Sequence, residues 1–146
     1  MKSEGPFSAE RDLSETDGAD PGVLPLRNRY ILVVEDECLI AEHLAVILKD
    51  AGAEVIGPAD GLPSAILLAS ETERIEAALL NVFLDGVTVF PLVDELQARG
   101  VPILFLTGYD DGDIPEAYSH IRRCDKPASP ARVVDELAML LRPVAA

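Results

Sequence analysis

The chain has little of what stabilises a small secreted protein or builds a metal cluster. It contains no tryptophan, two cysteines and two histidines, and aromatic residues make up 5% of its 146 residues. Cys38 and Cys124 are too few for a disulfide framework, and without neighbouring Cys or His they do not form a metal-ligand cluster. We therefore expect two buried thiols in a reduced compartment.

Long hydrophobic runs are also missing. No stretch without Asp, Glu, Lys or Arg exceeds ten residues, whereas a membrane-spanning helix needs about 20 apolar residues. The first 29 residues hold no apolar run of the signal-peptide type. These absences exclude a membrane helix and give no reason to expect export, so we expect a cytoplasmic protein.

Positive charge is scarce. The 12 lysines and arginines stand against 26 acidic residues, which gives a formal net charge of −14. A surface with this charge repels the phosphates of nucleic acids and of anionic lipids. We therefore expect no direct binding to nucleic acid or to a membrane.

The chain has two regions that differ in composition and in hydrophobic pattern. Residues 1–29 are rich in Ser, Gly, Pro and acidic residues and carry few large apolar side chains, which predicts a flexible N-terminal arm. From residue 30 to residue 146, short apolar runs alternate with segments of helical period. This alternation is typical of βαβ units around a parallel sheet, and the length suits one domain.

Five strand and helix pairs are predicted in the second region. The predicted strands are Tyr30–Val34, Ala53–Ile56, Ala77–Val82, Val101–Leu106 and His120–Cys124, of which the last has the weakest pattern. The fourth helix, Ile114–Ser119, is short and is interrupted by Pro115. The fifth helix begins at Ser129-Pro130, a capping residue followed by a favoured first helical residue.

Unusual polar residues follow four of these strands. They are Glu35, Asp36 and Glu37 after the first strand, Asn81 in the third, Thr107-Gly108 after the fourth and Asp125-Lys126-Pro127 after the fifth. In an open parallel sheet the ligand crevice lies outside the carboxyl ends of the strands, so these groups should converge. Successive acids suit Mg²⁺, and a lysine with a hydroxyl suits a phosphoryl group. Acids that merely favour a helix N-terminus are the plainer alternative for the first group.

Four segments at these positions resemble a known family. They are ILVVEDE (31–37), ALLNVFLDG (78–86), VPILFLTGY (101–109) and CDKP (124–127). In order and spacing they are similar to the receiver domain of bacterial two-component response regulators, over about residues 30–142. The resemblance implies a flavodoxin-like, doubly wound α/β fold, with five helices around a five-stranded parallel sheet of order 2-1-3-4-5.

The resemblance also implies a phosphoryl-transfer site. In that family an aspartate at the end of strand three accepts a phosphoryl group from the histidine of a sensor kinase. Glu35 and Asp36 match the acidic pair that holds Mg²⁺, Thr107 matches the switch hydroxyl, and Lys126 matches the lysine that contacts the phosphoryl group.

The chain departs from the family at the acceptor itself, because Asn81 stands where the family has aspartate. An amide is not a carboxylate nucleophile, so no ordinary acyl phosphate is expected. Losing a carboxylate should also weaken Mg²⁺ binding, so that Glu35, Asp36 and Asn81 would form a weak or vestigial metal site. Arg123 is a second departure, since many receivers carry an aromatic residue there.

Three functional hypotheses follow. The first is a single-domain pseudo-receiver that binds a sensor histidine kinase, a histidine phosphotransfer protein or a second copy of itself, without phosphorylation and without enzymatic activity. The second is a true phosphoacceptor whose aspartate has been substituted in this chain or whose acceptor has moved to Asp85. The third is a small flavin- or nucleotide-binding protein, which the absence of a glycine-rich loop after strand one disfavours.

Overall fold

The structure is a computed structural model that describes residues 24–108 and 114–142. Five strands form the main sheet: β1 (Tyr30–Val34), β2 (Glu54–Ala59), β3 (Ala77–Asn81), β6 (Ile103–Thr107) and β7 (Arg122–Asp125). A short antiparallel hairpin of β4 (Phe83–Leu84) and β5 (Val87–Thr88) follows β3. The helices are α1 (Cys38–Asp50), α2 (Leu62–Glu71), α3 (Phe90–Ala98) and α4 (Pro130–Leu141).

The sheet is parallel and has the order β2-β1-β3-β6-β7. This is the predicted order 2-1-3-4-5, and the prediction of a doubly wound α/β fold is confirmed. Apolar side chains of β1 and β3 alternate between a layer containing α2 and α3 and a layer containing α1 and α4. Because both faces are covered, these strands read as continuous apolar runs rather than as alternating patterns.

The predicted count of five helices is wrong. In place of the fourth helix the structure has a single 3-10 turn, Glu116–Tyr118, directly after Pro115. Only a few residues separate this proline from β7, which leaves no room for a longer helix. The described residues therefore contain four α-helices, and none of these is long and apolar enough to cross a membrane.

The folded domain includes residues that we predicted to belong to the flexible arm. Leu26 is fully buried, in the same apolar cluster as Leu44 and Leu48. Its N–H donates to Ala51 O at 2.8 Å, just after α1. Burial of one leucine and this backbone hydrogen bond offset the entropy of ordering a short turn. The domain therefore includes residues 24–29, and the remainder of the predicted arm, 1–23, lies outside the described residues.

The two cysteines differ in environment. Cys124 is buried, and burial raises the pKa of its thiol. Cys38 is the first residue of α1 and is exposed, so the expectation of a buried thiol is wrong there. At α4 the predicted cap is confirmed, because the Ser129 hydroxyl accepts a hydrogen bond from the N–H of Arg132.

Candidate functional site at the carboxyl edge of the sheet

The buried polar side chains of the described residues cluster at one edge of the sheet. They are Glu35, Asn81 and Thr107. Glu35 directly follows β1, while Asn81 and Thr107 are the last residues of β3 and β6. Buried polar groups are costly unless they are paired, so three of them at adjacent strand ends mark a built site rather than core packing.

Glu35 is the centre of this site. Its backbone N–H donates to Ala59 O at 3.0 Å, at the end of β2, which runs three residues further than the predicted Ala53–Ile56. One carboxylate oxygen, Oε1, accepts from Lys126 Nζ at 3.1 Å, and Oε2 accepts from the backbone N–H of Glu37 at 3.1 Å. Burial raises the pKa of Glu35, although the Glu37 hydrogen bond and Lys126 oppose this rise.

Asn81 joins the two acids that follow β1. Its amide nitrogen Nδ2 donates to Glu35 Oε2 and to Asp36 Oδ1, each at 3.1 Å. A primary amide has two N–H groups, so each carboxylate receives one of them. Asn81 therefore presents hydrogen atoms, not a nucleophilic oxygen, to the acidic pair.

Asp36 is held from the other side by the β4–β5 hairpin. The backbone N–H of Asp85 donates to Asp36 Oδ2 at 2.9 Å. Asp85 and Gly86 have φ angles of +53° and +84°, which suit the tight hairpin turn that this residue pair favours. Desolvation raises the pKa of Asp36, but hydrogen bonding with Glu35, the Asp85 N–H and Asn81 outweighs it and lowers that pKa overall.

Lys126 and Thr107 lie at the same edge of the sheet, but their side chains bond different acidic residues. The backbone N–H of Lys126 donates to Thr107 O at 2.7 Å, which fixes the lysine beside β6, and its Nζ forms an ion pair with Glu35. The hydroxyl of Thr107 donates to Asp125 Oδ1 at 3.2 Å. Thr107 thus lies at the predicted edge, with its hydroxyl bonded to the neighbouring strand rather than to Asn81.

The structure brings most of the predicted site residues together. The side chains of Glu35, Asp36, Asn81 and Lys126 form one hydrogen-bonded network. Glu37 is exposed and contributes its backbone N–H, not its carboxylate. No sequence pattern predicts that Asp85 contributes its backbone N–H to this network, because such a bond depends on the hairpin that follows β3.

The donor set does not fit a magnesium ion as it is arranged. Mg²⁺ requires oxygen ligands in near-octahedral geometry. Here Asn81 turns Nδ2 to both acids, and both oxygens of Glu35 already accept hydrogen bonds. Turning the amide so that Oδ1 faced the acids would set oxygen against oxygen. Among the described residues, no group of three His, Cys, Asp or Glu side chains is placed to hold a metal ion.

An apolar cavity of about 670 Å³ opens beside the site, between α1 and the start of α4. Its lining includes Leu39, His43 and Ile47 of α1 together with Lys126 and Pro127. Leu39 is 81% exposed although it is a large apolar residue. The one sequence signal for this cavity is Leu39, an apolar residue next to the helical stripe of Ile40, Leu44 and Ile47.

Comparison with known proteins finds both a relative in sequence and similar solved structures. The chain is 33% identical to the Phyllosphere-induced regulator PhyR of Methylorubrum extorquens over 112 residues, which cover 73% of this chain and 42% of PhyR. The solution structure of SdrG from Sphingomonas melonis Fr1 matches with a TM-score of 0.70 at 32% identity, over 79% of this chain and 98% of SdrG.

A further structure has the same fold. It is the receiver domain of the hybrid histidine kinase CckA, which matches with a TM-score of 0.63 at 22% identity, over 77% of this chain and 99% of that domain. No family model matches the chain. The chain spans less than half the length of PhyR, while it spans nearly the whole of SdrG and of the CckA domain.

Proposed function

This chain belongs to the receiver domains of response regulators, and we propose that it acts there as a pseudo-receiver, a protein-binding module that works without phosphorylation at the end of β3. Its partners would be a sensor histidine kinase, a histidine phosphotransfer protein or a second copy of the chain, met in the cytoplasm. In this role the domain is a signalling component and not an enzyme.

The observation that carries the proposal is the chemistry of Asn81. In phosphoryl transfer to a receiver, a carboxylate oxygen must attack phosphorus. The amide oxygen of Asn81 carries no full charge, and the lone pair of the amide nitrogen is delocalised. The amide therefore cannot act as such a nucleophile. Its Nδ2 is moreover engaged with Glu35 and Asp36.

The residues around Asn81 support descent from an active site. Lys126 and Thr107 occupy the strand ends where the family has its phosphoryl-contacting lysine and its switch hydroxyl. We assign both as remnants of the phosphoryl site. Glu35, Asp36 and Asn81 would be the corresponding remnant of the Mg²⁺ site, with weak or vestigial affinity. This surrounding network makes partner binding through a fixed surface the function that fits best.

Acetyl phosphate tests the proposal directly. Incubated with acetyl phosphate and Mg²⁺, the wild-type chain should gain no mass, because it has no competent acceptor. The variant Asn81→Asp should gain about 80 Da, the mass of one phosphoryl group, because it restores a carboxylate nucleophile at the end of β3. Intact-protein mass spectrometry reads both results.

The same measurement distinguishes the pseudo-receiver from a phosphoacceptor that uses Asp85. A gain of mass by the wild type that disappears in Asp85→Ala would show that the acceptor has moved, and the pseudo-receiver proposal would be rejected. The exposed carboxylate of Asp85 is on the hairpin, and only its backbone N–H contacts the acidic pair. We therefore expect Asp85→Ala and wild type to behave alike. An inert Asn81→Asp variant would show that Lys126 and Thr107 no longer support phosphoryl transfer.

The apolar cavity beside the site is the surface that we assign to the histidine-bearing partner, the kinase or the phosphotransfer protein. Lys126 lines this cavity and also bonds Glu35, so a partner seated there would touch the phosphoryl-site remnant itself. The exposed Leu39 provides apolar area at its rim, of the kind that anchors protein interfaces.

The variant Leu39→Glu tests this surface. We expect it to reduce binding of the partner at least about tenfold, because a carboxylate would be buried at the interface. Leu67→Glu is the matched control, since Leu67 is also exposed but lies on α2 and does not line the cavity. The readout is affinity capture with identification of the bound proteins. A bound kinase or phosphotransfer protein that both variants retain equally would refute the assignment of this surface. Capture of the chain's own second copy would instead favour the homodimer.

A further inference from the structure

We propose that the side-chain amide of Asn81, together with Lys126, takes the structural place of the divalent cation, so that the acidic pair is held in one arrangement without any metal. This inference goes beyond the proposed binding role and does not depend on it, because it concerns only the geometry of the site. It predicts a domain whose stability at this edge is indifferent to Mg²⁺.

The acidic pair is balanced by hydrogen-bond donors of the chain itself. Two carboxylates side by side need positive charge or hydrogen-bond donors between them. Glu35 and Asp36 receive both N–H groups of Asn81, and Glu35 also receives the ammonium of Lys126. The backbone N–H groups of Glu37 and Asp85 donate two further hydrogen bonds, one to Glu35 and one to Asp36. Each acid is therefore satisfied by groups that belong to the chain.

The amide of Asn81, which bridges the two acids, is held in position by the sheet. Asn81 is buried at the end of β3, directly after residues 77–80, which pair with β1, the strand that both acids follow. The backbone therefore fixes the amide between them, and no flexible loop is needed to bring it there. A cation could reach the two carboxylates together only after this amide had turned or moved away.

Moving the amide of Asn81 away from the two acids would be costly. It would break two hydrogen bonds to charged acceptors and would turn the amide oxygen towards the acids. Loss of even one hydrogen bond to a charged group corresponds to a factor of about ten in an equilibrium constant. We therefore expect wild type to bind Mg²⁺ at least about tenfold more weakly than Asn81→Asp, which replaces the two donors by a third carboxylate.

Thermal melting and calorimetric titration with MgCl₂ test the inference, on the full chain in EDTA and in about 10 mM Mg²⁺. The midpoint of wild type should not shift between the two conditions. Asn81→Asp should melt below wild type in EDTA, because three carboxylates then repel one another, and should rise with Mg²⁺. Asn81→Ala, which removes the bridge without adding charge, should also melt lower in EDTA and should regain part of the loss with Mg²⁺.

Gln97→Glu is the matched control. It makes the same change from amide to acid on α3, where Gln97 is exposed and bonds His120 rather than the acidic pair. It should show no response to Mg²⁺. The inference is overturned if wild type binds Mg²⁺ as tightly as Asn81→Asp, or if Asn81→Ala is as stable as wild type in EDTA. Because no partner and no phosphoryl donor are present, neither result bears on the proposed binding function.

Discussion

Replacing Leu26 by Ala is expected to lower the free energy of unfolding by about 3 kcal/mol. The side chain of Leu26 is fully buried in the apolar cluster between the sheet, α1 and α4, although it lies only a few residues from the start of the described chain. Truncation removes apolar contact and leaves a cavity that this short turn has little freedom to close. Urea denaturation followed by circular dichroism measures the loss.

Leu24→Ala provides the comparison. Leu24 is 44% exposed and occupies the same turn, so its truncation should cost less than about 1 kcal/mol. Equal and small effects at both positions would mean that residues 24–29 belong to a flexible arm after all, as their composition predicted. A large effect at Leu26 alone would establish the turn as part of the domain.

The strands and the location of the site were predictable because they follow from patterns that span several elements. Buried parallel strands must be apolar on both faces, and the polar residues that follow them must then meet at one edge. Tyr30–Val34 was predicted with its observed bounds, and Asn81 and Lys126 meet through Glu35 as the strand order required.

Local features were less predictable, because each depends on a single contact. The composition around Leu26 resembles a linker, and only the three-dimensional neighbourhood shows that one leucine reaches the core. The segment after Pro115 has a weak helical pattern, which is compatible both with a 3-10 turn and with an α-helix. At the site, the sequence showed that Asn81 lacks a nucleophilic oxygen. The direction in which its amide points follows from the two acids beside it.

Removing the positive charge of Lys126 is the second change with a large expected effect. In Lys126→Met the stem is retained, but the buried carboxylate of Glu35 loses its ion pair. Breaking a buried ion pair leaves an uncompensated charge and lowers the free energy of unfolding by about 3–5 kcal/mol when both partners are fully buried. Because the side chain of Lys126 is 25% exposed, we expect a smaller loss at neutral pH, about 2 kcal/mol. Lys49→Met, at an exposed position in the last turn of α1, should cost less than about 1 kcal/mol.

The loss in Lys126→Met should also depend on pH in a direction that identifies Glu35 as its source. Burial already raises the pKa of this carboxyl above its usual value of 4.5, and removal of Lys126 takes away a charge that opposes the rise. A carboxyl whose pKa is higher in the folded state destabilises the fold as pH rises through the interval between its unfolded and folded pKa values. The deficit relative to wild type should therefore be smallest near pH 5 and largest near pH 8. Other carboxyls, including Asp36, titrate in both proteins, so their contributions largely cancel in the difference. Denaturation curves across this range measure the deficit, and a deficit that stays constant with pH would show that the charge of Glu35 is not its source.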